Sequence, residues 1–331
     1  MLVVYEDIHW IDPSSRELLD MVVERVASLP VLLVITFRPE LQPPWIGQAQ
    51  VSTLTLSRLG RREGAVLVER VAGNNVLSNE IMAEIVERTD GIPLFVEELT
   101  KAVLDEAATG AVSTAPLRAL AVPATLNASL MARLDRLGPV ARETAQVGAA
   151  IGREFSYELI AAVADRSDET LRAALEQLVD AGLIFRRGSL PDATFLFKHS
   201  LVQDAAYGSL LKSRQHLHGR IAQVLEERLP DQASIRPELV ASHYAQAGMA
   251  DQAIDYWDKA GRLAVERSAM AEAVVHFGKA LRSLADLPKS PQRRSRELAL
   301  QLALAGTLTA TKGWASREAG EAYAHARDTL L

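Results

Sequence analysis

The chain has 331 residues, enough for two or three domains with buried cores of their own. Its 48% hydrophobic and 24% charged residues are those of a globular protein, and a 5% aromatic share alongside abundant Ala, Leu, Glu and Arg favours helices over sheets. Zero cysteines exclude disulfides, thiolate catalysis and cysteine zinc sites, and a net charge of -6 argues against a generic binder of nucleic acid or anionic membrane.

Met1 leads straight into an apolar strand with no basic leader region. The strand, Leu2-Val3-Val4-Tyr5, ends on Glu6 and Asp7, so two carboxylates fall at a strand's carboxyl end, where open α/β sheets place their ligands. The alternative is a pair of solvated acids after an edge strand. Asp12 then caps a helix with Pro13 at its first position, and Leu18, Leu19, Val22, Val23 and Val26 form its apolar stripe. Pro30 to Phe37 reads as a second strand, buried on both faces and hence parallel and interior; it is also the densest apolar run and is too short to cross a bilayer, so no membrane contact and a cytoplasmic location are expected. Arg38 stands at its end. After a Pro-rich loop at 42–50, Val51 to Leu56 alternates apolar residues with Ser and Thr as a third strand would.

Helices are expected over Arg61 to Ala72 and Asn79 to Thr89, the second stopped by Gly91, with Pro93 opening the next. Thr109 to Pro123, rich in Ala, Ser, Thr and Pro, is expected to be a linker. Helices over Thr125 to Arg136 and Pro139 to Ala150, two more capped by Ser156 and Ser167, and a hairpin of Leu183 to Arg187 with Thr194 to Lys198 together predict a winged helix. Its groove-reading candidate, Asp168 to Ala181, shows Asp168, Glu169, Glu176 and Asp180 against Arg172 alone, a face that repels phosphates. Only Arg186, Arg187 and Lys198 speak for DNA, so DNA binding is not expected. His216 and His218, two apart on a helix, face different ways and predict no metal site, and His199 is read as structural.

From Pro237 onward the chain turns to repeats. Ala253-Ile254-Asp255-Tyr256-Trp257-Asp258-Lys259-Ala260 recurs, 20 residues on, as Ala273-Val274-Val275-His276-Phe277-Gly278-Lys279-Ala280. The pattern is similar to the second helix of a tetratricopeptide repeat, whose usual period is about 34 residues. Either a shortened first helix lies near Gly261 to Ser268, or the match is to a generic helical hairpin. Leu284 to Pro291 is expected to break the array before a long helix over Arg293 to Thr311 and another from Ser316.

The run Val3 to Ser15 closely resembles the Walker B segment of the STAND class of signal-transduction ATPases, relatives of AAA+ proteins. The resemblance continues through Arg38, the run Gly91-Ile92-Pro93-Leu94-Phe95-Val96-Glu97-Glu98-Leu99 and the run Phe195 to Tyr207, and so covers most of the chain. Many bacterial members carry a class III adenylate or guanylate cyclase at the amino end and helical repeats at the carboxyl end. The resemblance implies a mainly α chain. Its parts are a remnant parallel α/β ATPase core at 1–60, a helical lid at 61–108, the linker at 109–123, a regulatory winged helix with its following helices at 124–230, and TPR-like repeats at 231–331. It also implies roles: Glu6 for Mg²⁺, Asp7 as the catalytic group that polarises water, Arg38 as sensor of the terminal phosphate, and Gly91 and Pro93 as the turn against adenine. No Gly-x-x-x-x-Gly-Lys-[Ser/Thr] loop occurs in the sequence. Since the family places that loop ahead of the Walker B strand, the chain is expected to be the carboxyl-terminal part of a larger protein. ATP and Mg²⁺ are then cofactors of the intact parent, and neither is expected to bind this part tightly. Protein partners through the repeats, and contact with the amino-terminal part, are expected; a DNA-binding regulator and a stand-alone repeat scaffold are the alternatives.

Overall fold

The computed structural model describes residues 1–75, 77–108, 125–210 and 213–330, so the linker expected at 109–123 lies outside the described residues. The fold is mainly α, and the chain divides into two compact units, Met1–Thr55 with Leu225–Leu331, and Leu56–Val224.

The first unit opens with β1 (Leu2–Tyr5), a single 3-10 turn at Ile8–Trp10, α1 (Pro13–Val26) and β2 (Leu32–Ile35). Asp12 caps α1 as expected, its carboxylate accepting from the Ser15 amide at 2.8 Å. The strands pair in parallel with Leu2 opposite Leu32 and Tyr5 opposite Ile35, and they form a two-stranded sheet. The prediction of a strand buried on both faces is corrected here. Tyr5, Leu33 and Ile35 pack on Leu19 and Val23 of α1, whereas Leu2, Val4, Leu32 and Val34 are exposed. One helix can cover one face only, and with period-two alternation every second residue then meets solvent. The same geometry leaves Leu18 of α1 exposed. The third strand expected at Val51 to Leu56 is also absent: the segment pairs with neither strand, and Leu54 and Leu56 are 88% and 94% exposed. Alternation alone does not make a strand, because it does not supply the inter-strand hydrogen bonds.

In the second unit α2 (Arg61–Ala72), α3 (Asn79–Thr89) and α4 (Pro93–Ala108) enclose Val68, Ile81, Ile85, Phe95, Val96, Leu99 and Val103. Then come α5 (Leu126–Arg136), α6 (Pro139–Ile151), β3 (Glu154–Ser156), α7 (Tyr157–Val163) and α8 (Asp168–Asp180). The hairpin of β4 (Ile184–Arg187) and β5 (Thr194–Phe197) follows, and α9 (Ser200–Gly208) closes this part. Ser156 and Ser167 cap α7 and α8 as read from the sequence. The sheet has one strand more than the sequence disclosed, because β3 pairs antiparallel with β5 to give the order β3-β5-β4. Its inner face stacks Phe155 on Phe195, centroids 5.7 Å apart, with Phe197 beside them.

Helix α10 (Arg214–Arg228) leads to α11 (Pro230–Ile235), α12 (Pro237–Gln246), α13 (Ala250–Glu266), α14 (Met270–Ala285), α15 (Pro291–Lys312) and α16 (Arg317–Leu330). Successive helices from α12 to α16 pack on one another as a TPR-like array. Tyr244, Trp257 and Phe277 are buried in it as expected. Two readings of the repeat are corrected. No short helix starts at Gly261, since 261–266 simply continue α13, and the twice-occurring pattern therefore sits on two consecutive helices. Gly261 lies inside α13, where a Cβ would come within 2.4 Å of the Phe277 ring, so the glycine marks close helix packing. The break expected at Leu284 to Pro291 is only a turn: α14 and α15 pack together, and Ser290 caps the latter through the Arg293 amide at 3.1 Å.

Candidate functional site

Because β1 and β2 run in the same direction, the residues leaving their carboxyl ends emerge on one edge. That edge carries Glu6, Asp7, Thr36 and Arg38. Asp7 sits in the left-handed region at φ 56, a conformation that costs an Asp roughly 1 kcal/mol or more and must be held from outside. The holder is Thr36. Its hydroxyl accepts from the Asp7 amide at 3.0 Å, and its carbonyl accepts from the Ile8 amide at 3.1 Å, locking the acid-bearing turn to the neighbouring strand. Sequence reading missed Thr36; its only signal was one hydroxyl residue inside an otherwise apolar run. Glu6 and Arg38 are exposed on the same edge, and Asp7 is half-buried.

Next to these acids, both ring nitrogens of His9 are shielded from solvent without a hydrogen-bond partner, and its ring lies 5.2 Å from that of the exposed Trp10. Buried polar atoms are normally satisfied, so His9 carries an unmet demand for a polar neighbour.

Gly91 and Pro93 belong to the other unit, in the corner between α3 and α4. Gly91 has φ +65, and a Cβ there would stand 2.1 Å from the Leu59 carbonyl oxygen. The Leu59 amide donates to the Gly91 carbonyl at 2.8 Å. Gly91 is thus fixed by backbone conformation and by close approach of a second chain segment, sufficient structural reasons for the residue. Pro93 opens α4 and is exposed together with Ile92.

The structure therefore places Glu6, Asp7 and Arg38 beyond the carboxyl ends of the same strand pair and, separately, Gly91 and Pro93 in one helix corner. Among the described residues no group of three or more His, Cys, Asp or Glu could hold a metal by itself. Mg²⁺, however, needs only one or two carboxylates when phosphates complete its shell. The donor set fits the metal- and water-facing half of a nucleotide site; backbone amides and a lysine for the phosphates are not supplied by this edge.

Of the cations singled out in the hairpin part and α8, three are paired and Arg187 is exposed. Arg172 pairs with Asp168 at 2.8 Å, Arg186 with Glu176, and Lys198 with Glu97 at 3.5 Å. His218 is buried and bonded to the Tyr207 hydroxyl at 2.9 Å while His216 is exposed, as their spacing predicted. In the helical array, the Glu226 carboxylate accepts from Tyr244, and Tyr256 also hydrogen-bonds to it. Burial, then that bond, push Tyr256 up to about 12.

No family model matches the chain. A protein of Rhizobium meliloti (strain 1021), itself described as uncharacterized, is 30% identical over 97% of this chain, which spans 32% of that relative's length. Among solved structures, the fold is similar to that of a Signal Transduction ATPase with Numerous Domains (STAND) protein with a tetratricopeptide repeat sensor from Pyrococcus horikoshii. The TM-score is 0.52 at 15% identity, covering 99% of this chain and 49% of the other. The chain thus spans about a third of the relative and about half of the solved structure. Among the described residues no helix is long and apolar enough to cross a membrane.

Proposed function

We propose that this chain is the regulatory and partner-binding part of an ATP-dependent signal-transduction ATPase of the STAND class. The observation that supports this reading is the shared carboxyl end of the parallel pair β1 and β2, with Glu6 and Asp7 following one strand, Arg38 beyond the other, and Thr36 setting the Asp7 turn. In the intact protein Glu6 would hold Mg²⁺, Asp7 would orient and polarise water, Arg38 would face the terminal phosphate, and the Gly91–Pro93 corner would pack on adenine. Mg·ATP supplies the phosphoanhydride and the charge that neutralises it when bound.

The other parts take their roles from the same reading. The lid at 61–108 carries the adenine corner, the winged helix within 124–230 is a regulatory arm, and the TPR-like repeats from 231 bind a protein partner. In the parent, an amino-terminal nucleotide cyclase is the output controlled. A DNA-binding role for the winged helix is disfavoured by the pairing of Arg172 and Arg186 with acids of α8 itself.

Alone, the chain is expected neither to bind nor to hydrolyse ATP. A phosphate loop contributes backbone donors, a lysine and a metal-facing hydroxyl. Charge-assisted hydrogen bonds are worth roughly 1.5 to 3 kcal/mol each, so lacking three removes about 5 kcal/mol or more. A micromolar ligand binds with only about 8 kcal/mol, which leaves millimolar affinity or weaker. Calorimetry with Mg·ATP should show no micromolar binding to the purified chain. In a longer protein with a phosphate loop ahead of residue 1, Asp7→Ala should abolish turnover while leaving folding intact; turnover unchanged by that substitution would sink the reading.

A further inference from the structure

Helix α4 carries two adjacent carboxylates within the unit Leu56–Val224, on a helix whose neighbouring residues Phe95, Val96 and Leu99 are buried and apolar. Glu98 is 3% exposed. It is paired with the Arg133 guanidinium of α5 and lies 3.4 Å from Lys101 Nζ. Arg133 also donates to the Ala181 carbonyl, at the end of α8. Glu97 accepts from Lys101 and lies 3.5 Å from Nζ of Lys198, just past β5. On the outer side Asp105 and Arg136 pair at 2.6 Å. Two consecutive acids on one helix therefore grip α5, the last turn of α8 and the end of β5. Burial would raise Glu97, but the hydrogen bond and charge of Lys101, and behind them Lys198, hold it below the ordinary carboxylate range.

A buried ion pair is a poor way to gain stability, because apolar residues of similar volume do as well or better, whereas removing one partner is strongly destabilising. Such a contact is either fully made or costly. It suits a place where elements must engage in one register or separate cleanly, and a single guanidinium shared between Glu98 and the Ala181 carbonyl makes that engagement three-way.

We infer that the Glu98–Arg133 pair, flanked by Glu97–Lys198, is a conformational latch that locks α4 to α5, to the Ala181 turn after α8 and to the end of β5, and that its release lets α5 and the Ala181 turn move while the aromatic core stays folded. The latch goes beyond the nucleotide reading and does not depend on ATP binding, so the two stand or fall separately.

Hydrogen exchange on the full chain tests it. In the unmodified protein, amides of α5 should lose protection at lower urea than those of β5; loss of both at the same urea overturns the latch, whatever the variants do. Glu98→Gln and Arg133→Met should each raise α5 exchange about tenfold or more and leave β5 unchanged. The double variant Glu98→Leu with Arg133→Leu should return α5 to the unmodified rate or slower. Singles that leave α5 unchanged, singles that speed α5 and β5 equally, or a double variant as fast as the singles would each reduce the pair to an ordinary contact.

Discussion

The parallel pair β1–β2 and the antiparallel sheet β3–β5–β4 both turn one face inward, yet their outer faces differ in chemistry. The outer face of the antiparallel sheet has a polar row of Ser156, Thr194 and Arg187 beside a row of Glu154, Leu196 and Phe185, so polar and apolar residues are mixed on it. The parallel pair shows Leu2, Val4, Leu32 and Val34 and nothing polar. A mixed outer face is what a sheet with one wet side carries, while an all-aliphatic one belongs to sheets covered on both sides. The two sheets therefore teach different things about their surroundings. The hairpin sheet is finished as it stands, and the parallel pair has the composition of strands that meet a second layer.

The contrast breaks most sharply if the finished sheet does not depend on its inner face. Phe195 is buried and stacked on Phe155, so Phe195→Ala should lower the stability of the Leu56–Val224 unit by ~3 to 5 kcal/mol, read as a shift in urea midpoint. A loss below ~1 kcal/mol would mean that the three-stranded sheet is not the centre of that unit.

A second comparison sets two left-handed residues against each other. Gly91→Ala puts a side chain where φ is +65 and the Leu59 carbonyl is too close, and should cost roughly 1 to 3 kcal/mol. Asp7→Gly relieves the same conformation at φ 56 and should cost less than Gly91→Ala in the chain alone, while removing the carboxylate. A matched pair of thermal melts decides, and an Asp7→Gly loss as large as that of Gly91→Ala would show that the side chain, not the Thr36 contact, holds the turn.

Alkaline titration probes the helical array, the other part of the first unit. Tyr256 is raised from its ordinary value of 10.0 to about 12, first by burial and then by Glu226. The folded state thus keeps a proton that the unfolded chain releases. The stabilising contribution is complete below the unfolded value of 10.0 and is lost as pH climbs through about 12. Tyr244 is shifted in the same direction by the same causes. Stability of 225–331 should fall across that window, and less steeply in Tyr256→Phe; identical slopes would remove Tyr256 from the linkage.

What was legible in the sequence was local. Asp12, Ser156 and Ser167 cap helices because a short oxygen-bearing side chain satisfies an amide two or three residues on, and this needs no tertiary partner. The positions of Glu6, Asp7 and Arg38 near strand ends are local in the same way, the two acids following β1 directly and Arg38 lying three residues past β2. Illegible were properties set by distant segments. Whether Val34 is covered depends on how many layers the sheet has, whether Val51 to Leu56 is a strand depends on its finding a pairing partner, and Gly261 reads as the start of a short helix until Phe277 is placed against it. The support of Asp7 by Thr36 lies across the sheet, invisible to a reading along one strand.

The smallest expected effect on stability carries the most about the parallel pair. Leu32→Thr and Val34→Thr put a β-branched residue suited to a strand at each position and replace side chains that are 64% and 39% exposed. In the chain alone each should change stability by no more than about 0.5 kcal/mol, as for surface positions generally. Self-association should fall, because exposed aliphatic strands template pairing with other chains. Within a longer protein the outcome should differ. If a second layer covers this face, the same two threonines become buried hydroxyls with no partner, and each should cost about 1 to 3 kcal/mol. The same substitutions measured in both settings therefore report on the face itself: equal effects in the two would show that the aliphatic row is an ordinary surface, and a cost confined to the longer protein would show that it is an interior face uncovered here.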